Sequence, residues 1–311
     1  MSTANIVAAL LALCAALASA VGDVVRQRSA QEITDKQVGH LELFRMSLRD
    51  VRWWGGGIAA VANYALQAAA LAVGSVMLVT GLQVTALLFA LPIYAWLIRS
   101  RVSRWEWTWA AVLAIALAVV VVVGDPTEGV GRAPWQVWAV VALVMGPVLV
   151  GCVLAARIFA GRPAAAVLLA VVAGSSLALF AVLTKGLVEV LKHDGLGAML
   201  RAPELVPWLL ATLTGMIFQQ SSFRAGALTA SMPTMTVAKP LVATVLGVLV
   251  LGETLDAGGI EDGVVALAVL VVVIATAALA RGEAATIAAE SGGTDTGGSG
   301  QKLPAPSPAG R

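Results

Sequence analysis

The sequence has little charge, only two histidines and only two cysteines. Charged residues make up 12% of its 311 residues and hydrophobic residues 59%, whereas soluble globular domains have about 25% charged residues. A water-soluble fold could not bury that much apolar surface, so the composition indicates a protein of the lipid bilayer. The net charge is only +2 and the basic residues form no stripe, which argues against a nucleic-acid-binding protein.

The few cysteines and histidines also leave little for covalent or metal chemistry. Cys14 and Cys152 each lie inside an apolar run, where a free thiol behaves as a small hydrophobe rather than as part of a disulfide framework. The chain has no P-loop, HExxH, CxxC or GxSxG motif, so neither ATP-driven pumping nor a familiar catalytic centre is predicted. We therefore expect no enzyme activity, no cofactor and no metal site.

Nine apolar runs are long enough to cross a bilayer, which takes roughly 20 residues each. The predicted fold is thus an all-α bundle of about nine transmembrane helices. Spans two and three almost touch, as do spans seven and eight, with tight turns predicted at Gly74-Ser75 and Gly226-Ala227. The predicted spans are 5–26, 53–74, 75–98, 105–123, 134–158, 164–186, 205–226, 228–252 and 260–281.

Two segments are too polar to cross the bilayer. Residues 27–52 connect the first two spans and mix apolar with charged residues, which suits either a short interfacial helix or a solvated loop. Residues 282–311 are rich in Gly, Ser, Thr, Pro and Ala, and we expect a disordered cytoplasmic tail.

The basic residues are distributed unequally between the two sides of the membrane. With the amino terminus outside, fifteen of the 20 Lys and Arg fall in inside segments and four fall outside. Cytoplasmic segments carry this excess of positive charge. We therefore predict a multi-pass protein of the cell membrane with its amino terminus outside and its carboxyl terminus in the cytoplasm.

Residues 67–101 match residues 219–253 weakly, at an offset of 152. Span two runs from inside to outside, while its counterpart, span seven, runs in the opposite sense. Inverted repeats of this kind are typical of secondary transporters, which bind substrate near the midplane between the repeats. The layout predicts a first repeat of four helices in 1–124 and a second of five helices in 125–281. The aligned pairs are Gln67 with Gln219, Gly74 with Gly226, and Gly81 with Pro233.

The second repeat contains a more distinctive pattern. A small-residue segment begins at Gly226, a mid-helix proline follows at Pro240, and Gly252-Glu253 precedes the last span. This pattern resembles the drug/metabolite transporter superfamily, whose usual form is two inverted five-helix repeats. The 4 + 5 layout, with Trp53-Trp54-Gly55 opening span two, is similar to its NIPA-type branch, named for magnesium transport.

Two positions depart from that resemblance. The first repeat has Ser100-Arg101 where a Gly-Glu pair is expected, and the chain has Lys239 where the NIPA-type branch tends to have an acid. A fixed positive charge about 6 Å from Mg²⁺ would repel it by about 5 kcal/mol at an effective dielectric of about 20. The lysine therefore disfavours magnesium as the substrate.

Lys239 is the strongest candidate for a functional residue. It is predicted near the middle of span eight, where an ionisable group costs about 2.5–3.5 kcal/mol on insertion scales. Pro240 removes a backbone hydrogen bond, and we expect the helix to break there. We hypothesise that Lys239 faces a central cavity and attracts an anionic substrate group or a coupling carboxylate. The alternative is a lysine bound to helix carbonyls or extended towards the interface.

Other polar side chains inside the spans extend this candidate site. Asn63 and Gln67 are four residues apart and share one face of span two. Such side chains can line a pathway or only hydrogen-bond between helices. Asp23, near the inner end of span one, is a candidate coupling acid or a partner of Arg26. The predicted substrate-binding residues are Lys239, Gln67, Asn63, Gln83, Gln219, Gln220 and Thr236.

Four acids lie near the start of the last span. We interpret them as a solvated turn that forms at most a weak external cation site, and Glu253 among them as a structural helix terminus. They are Glu253, Asp256, Glu261 and Asp262.

The predicted function is alternating-access transport or export of a small polar metabolite, anionic or zwitterionic. Three alternatives remain open, which are a NIPA-like Mg²⁺ transporter, a flippase for a lipid-linked phosphate, and a non-transporting accessory subunit. The expected partners are a small-molecule substrate and membrane lipid, without nucleic acid, and a homo-oligomer is left open.

Overall fold

A computed structural model describes residues 3–32, 51–97, 104–124, 126–127, 129–160, 162–224, 228–255 and 260–296 of the chain. Within these ranges the fold is helical apart from one short pair of strands. The helices are α1 Thr3–Glu32, α2 Val51–Leu71, α3 Val76–Gln83, α4 Ala86–Leu97, α5 Arg104–Gly124, α6 Trp135–Ile158, α7 Pro163–Met199, α8 Leu205–Arg224, α9 Leu228–Leu251 and α10 Ile260–Thr296. The strands are β1 Pro126–Thr127 and β2 Thr254–Leu255.

Six of the described helices are long and apolar enough to cross a membrane, and two shorter apolar helices accompany them. Helices suit this environment because the bilayer core offers no water to satisfy backbone groups. The chain is therefore an all-α, multi-pass membrane protein. A count of nine crossings would also require α2, the α3–α4 pair and α8, and it stays a prediction, as does the inverted repeat. The six segments are Thr3–Gly22, Arg104–Gly124, Trp135–Ile158, Ala164–Met199, Thr234–Leu251 and Glu261–Leu279.

Several helices continue beyond the predicted spans. α1 reaches Glu32 and α10 reaches Thr296, so parts of the predicted 27–52 loop and 282–311 tail are helical. Residues 33–50 and 297–311, like the turn predicted at Gly226-Ala227, lie outside the described residues. α7 extends to Met199 through a kink at Gly195, whose φ is 79°. The tight turn predicted at Gly74-Ser75 is present between α2 and α3.

α7 is the central helix of the bundle. It packs against α6, α8 and α9, and 78% of its most apolar stretch is buried, compared with 6% for α6. On one side α1 packs against α2, α3 and α4, and on the other α10 packs against α5 and α9. Asn63 and Gln67 of α2 and Gln83 of α3 are buried within this bundle, and Lys239 of α9 is half-buried.

One end of the bundle, here called the strand end, is defined by the pairing of β1 with β2. The two strands are antiparallel, with Thr127 opposite Thr254. The amide N–H of Val130 donates to the carbonyl of Leu251 at 2.7 Å, and Asn5 near the start of α1 donates to the carbonyl of Pro126 at 3.5 Å. The start of α1 and the ends of α5 and α9 thus meet at the strand end, which the predicted topology puts outside.

The predicted helix break at Lys239-Pro240 is wrong, because α9 runs continuously from Leu228 to Leu251. The interruption lies instead between α3 and α4, at Val84-Thr85. The N–H groups of these two residues bond three residues back, at 3.1 and 3.0 Å, and the Thr85 hydroxyl bonds the carbonyl of Leu82 at 2.6 Å. A proline removes one donor, which a packed membrane helix tolerates, whereas a turn of tightened hydrogen bonds changes the helix path and often marks a hinge.

Gly174 sets the distance between α7 and α9. A Cβ added there would lie 2.9 Å from Cβ of Ala238 and 3.1 Å from the amide nitrogen of Lys239. Gly186, three turns further along α7, has no atom within 4 Å of its added Cβ. We expect Gly174→Ala to destabilise the protein by about 1–3 kcal/mol through overpacking. Gly186→Ala should stabilise it by about 0.5–1 kcal/mol through lower backbone entropy in the unfolded chain.

Unfolding of both variants in detergent micelles, followed by circular dichroism, checks this prediction. Equal effects of the two substitutions would contradict the close α7–α9 contact.

Candidate functional site

Three polar side chains from three helices meet inside the bundle. Nζ of Lys239 in α9 donates to Oε1 of Gln83 at 2.7 Å, and Nε2 of Gln83 donates to Oδ1 of Asn63 in α2 at 3.5 Å. Asn63 and Gln83 are buried, and Lys239 is half-buried. The structure therefore brings together three of the side chains that the sequence singled out. We call them the Lys239 group.

Lys239 lies close to the middle of α9. Lys239 is eleven residues from the start of α9 and twelve from its end, which at 1.5 Å per residue is about 16 and 18 Å. The hydrocarbon core is about 30 Å thick. Gln83 is the last residue of α3 and immediately precedes the Val84-Thr85 interruption. The group thus joins a continuous helix, α9, to the interrupted α3–α4 pair.

Gln67 lies one turn from Asn63 on the same face of α2. Its side chain is 1% exposed, and neither its amide nitrogen nor its amide oxygen has a partner among the described residues. A buried unsatisfied polar group costs about 1–3 kcal/mol, and such groups commonly mark the place of a bound water or ligand. Gln67 therefore offers one donor and one acceptor, next to the Lys239 group, for something that occupies the interior.

The remaining predicted residues are dispersed. Thr236 is half-buried one turn before Lys239 on α9. Gln219 and Gln220 are half-buried near the end of α8, and within the described part of the chain neither amide hydrogen-bonds to the Lys239 group. Asp23 lies in α1, and its side chain is outside the described residues.

The sequence analysis missed a second buried cluster, at the strand end. Glu253 is 1% exposed and Lys185 is 3% exposed. Their Oε1 and Nζ atoms are 3.4 Å apart, and Nζ of Lys185 also donates to the carbonyl of Gly74 at 3.0 Å. The prediction that Glu253 belongs to a solvated turn was therefore wrong, and Lys185 is buried in α7 rather than solvated at the surface.

Glu253 caps the beginning of α3. Its two carboxylate oxygens accept hydrogen bonds from the first two N–H groups of this helix, at 2.5 and 2.9 Å. The side-chain oxygen of Ser75 accepts from the third N–H group at 3.1 Å, and its carbonyl accepts the first ordinary helical hydrogen bond, from Val79, also at 3.1 Å. The first three N–H groups of α3, which have no partner within the helix, are thus bonded. The carboxylate also complements the positive end of the helix dipole.

Two glycines make this arrangement possible. Gly252 has φ 66°, a left-handed conformation that ends α9 and turns the chain so that Glu253 points back into the protein. A Cβ at Gly247 would lie 2.6 Å from Oε2 of Glu253, so a larger residue there would displace the carboxylate. The sequence signals for this cluster were the Gly252-Glu253 pair before the last span and the Gly-Ser turn before α3, since serine is a preferred N-cap.

Further polar contacts hold the strand end together. Arg132 makes two hydrogen bonds to the carboxylate of Glu204, at 2.5 and 2.9 Å, and these raise the pKa of the arginine above its ordinary value. Lys192 donates to the carbonyl of Ala72 in the α2–α3 turn. The loops after α2, α5, α7 and α9 are therefore bonded either to one another or to α7, and the strand end is closed.

No family model and no solved structure matches the chain. It is 35% identical over 277 residues to the uncharacterized protein Cgl0250/cg0304 of Corynebacterium glutamicum, an alignment that covers 89% of this chain and 96% of the relative. This chain belongs to the family of Cgl0250/cg0304. The alignment spans nearly all of that protein, so the two share their whole extent rather than a single motif. The resemblance to the drug/metabolite transporter superfamily stays a prediction.

We expect Lys185→Met to destabilise the protein by about 3 kcal/mol or more, because it leaves the buried carboxylate of Glu253 without its counter-charge. The Lys185→Met/Glu253→Gln pair should cost less than the sum of the single substitutions, since the two side chains interact directly. Denaturant unfolding in micelles measures the three values.

Arg157→Gln is the control, because it removes an exposed charge in the last turn of α6. Surface substitutions of this kind usually change stability by less than about 0.5 kcal/mol. Additive costs for the Lys185 and Glu253 substitutions would contradict the proposed interaction.

Proposed function

We propose that the protein is a secondary transporter that moves a small polar metabolite, anionic or zwitterionic, across the membrane by alternating access. The observation that carries the proposal is the Lys239 group near the middle of α9, together with the buried amide of Gln67, which has no hydrogen-bond partner among the described residues. A lipid-facing or purely structural bundle gains nothing from a half-buried ammonium group and an unsatisfied amide at this depth, where polar groups are costly. A substrate with an anionic group and a neutral hydrogen-bonding group would satisfy both.

The interruption beside Gln83 supports a transporter. Discontinuous helices surround the midplane sites of many secondary transporters, because their ends supply open backbone groups and hinges. At the offset of 152, Gln83 corresponds to Met235, about one turn before Lys239 on α9. The contact between Gln83 and Lys239 thus lies within about one helical turn of corresponding positions in the predicted repeat pair.

A substrate anion that binds Lys239 competes with Oε1 of Gln83 for the ammonium group. α3 is attached to the α9 segment at both ends, through Glu253 at its first residue and through Lys239 at its last. Displacing Gln83 removes one of these attachments beside the Val84-Thr85 hinge. The closed strand end makes the described conformation one in which the substrate enters from the opposite, cytoplasmic side in the predicted topology.

The sign of the charge argues against the NIPA-like alternative, since Lys239 repels Mg²⁺. The flippase and the accessory subunit differ from the leading proposal in what they require at the midplane. A flippase requires a pathway that is open sideways to lipid, and an accessory subunit requires no pathway.

We expect Lys239→Met to lower transport about 10- to 100-fold, because a hydrogen bond to a charged group is worth about 1.5–3 kcal/mol. The substrate is first identified by mass spectrometry of the anionic metabolites that accumulate or disappear in cells producing the protein. Its flux is then measured in proteoliposomes. Lys239→Arg, which keeps the charge, and Lys192→Met, which removes an exposed one, serve as controls.

Undiminished flux in Lys239→Met would exclude the central site. Uptake of Mg²⁺ into liposomes containing an indicator dye would instead favour the NIPA-like alternative, and movement of a fluorescent lipid phosphate between leaflets would favour the flippase.

We further expect Gln67→Cys to react with a membrane-impermeant methanethiosulfonate, because alternating access admits water to this position. Cys14 and Cys152 are first replaced by serine. Val61→Cys on the same helix is the control. Val61 is 70% exposed at the protein surface, where we expect it to face lipid. Its cysteine should stay unreactive because a thiol does not ionise in hydrocarbon. If Gln67→Cys does not react from either side of the membrane, the transport proposal fails and the result favours the accessory-subunit alternative.

A further inference from the structure

A slot between α5 and α10 lies away from the Lys239 group, on the outer surface of the bundle. Its volume is about 610 Å³, within the range of small-molecule sites. The slot opens to the surroundings rather than to the interior. Its lining residues are Trp105, Trp109, Val273, Ile274, Ala277, Ala278 and Arg281.

The two walls of this α5–α10 slot differ in chemistry. On α10, Ile274, Ala277 and Arg281 share one helix face, spaced three and four residues apart, and the small alanine side chain leaves room between the helices. On α5, the rings of Trp105 and Trp109 pack edge to face at 5.4 Å. The slot is therefore an apolar cleft with a single cationic group, Arg281, at one end.

The cationic end lies at the level of a membrane interface. Arg281 is 21 residues beyond the start of α10 next to β2, about 31 Å away at 1.5 Å per residue, and the hydrocarbon core is about 30 Å thick. Trp105 is the second residue of α5 and is 62% exposed. Tryptophan and arginine at this level are typical partners of lipid headgroups. The slot thus opens at the end of the bundle opposite the strand end.

Two polar groups of the slot have no partner within the described residues. Nε1–H of Trp109 is buried without an acceptor, and no ion pair joins Arg281 to another described side chain. Both groups are donors, so a ligand that satisfies them must carry acceptor oxygens. None of the lining residues is an acid, and nothing in the slot would therefore balance the ammonium group of a zwitterionic headgroup.

We propose that the α5–α10 slot binds an acidic phospholipid. Arg281 contacts the phosphate, a headgroup oxygen accepts the hydrogen bond of Trp109, and an acyl chain lies along Ile274 and the two alanines. Inorganic phosphate would leave these apolar walls uncovered. A helix of another protein, about 10–12 Å in diameter, would find room in this volume for only about one turn.

Native mass spectrometry of the full-length protein in detergent, titrated with phosphatidylglycerol and with phosphatidylethanolamine, tests this proposal. We expect about fivefold preferential retention of phosphatidylglycerol, which is the contribution of one arginine near an anionic lipid surface. Arg281→Gln should reduce the preference to about one, whereas Arg281→Lys should keep most of it. Trp109→Phe, which keeps an aromatic ring but lacks the N–H, should retain less phosphatidylglycerol than the unmodified protein.

The controls remove equivalent groups that lie outside the slot. Arg157→Gln removes an exposed charge in the last turn of α6, and Trp107→Phe removes an exposed indole of α5. Both variants should retain the full preference. Equal retention of the two lipids by the unmodified protein, an equal loss in Arg157→Gln, or binding of inorganic phosphate without lipid would each overturn the proposal. Circular dichroism confirms that each variant is folded.

Discussion

The beginning of α3 is the constraint on which the strand end depends. A helix that begins inside a bilayer protein has N–H groups without a partner in the helix and no water to receive them. Glu253 and the side chain of Ser75 accept the first three of α3. A carboxylate so deeply buried needs a counter-charge, which Lys185 provides, and it needs space, which Gly247 leaves. One acid therefore holds α3, α7 and α9 together.

The other end of α3 connects this closure to the middle of the membrane. Gln83 ends the helix, contacts Lys239 and precedes the Val84-Thr85 interruption. In the transport cycle that we propose, a change at Lys239 releases the end of α3 while Glu253 still holds its beginning. Coupled opening and closing requires an element with two discrete arrangements, and we propose α3 for this role.

The positions of six spans were predictable from sequence because they depend on length and hydropathy, which are local properties. The convergence of Asn63, Gln83 and Lys239 was also foreseeable, since polar groups inside spans avoid lipid and face one another. The burial of Glu253 was not, because a charge at the end of a span is usually solvated, and only tertiary packing places α3 against it. The break was mislocated for a related reason. Proline marks a missing donor, but neighbouring helices decide whether the helix continues through it.

Lys185 and Lys239, two lysines within the described bundle, differ in burial and in the group that each one contacts. Lys185 is almost completely buried and lies 3.4 Å from a carboxylate that is itself fixed by two N–H groups. Removing either partner leaves an uncompensated charge, so the pair is held in place. Lys239 is half-buried and donates to the neutral amide of Gln83, beside a hinge. Exchanging an amide oxygen for an anionic oxygen strengthens a hydrogen bond to an ammonium group. In the proposed transport cycle, an anionic oxygen of the substrate therefore replaces the amide oxygen of Gln83 on Lys239 and later leaves, whereas Glu253 stays bound to Lys185.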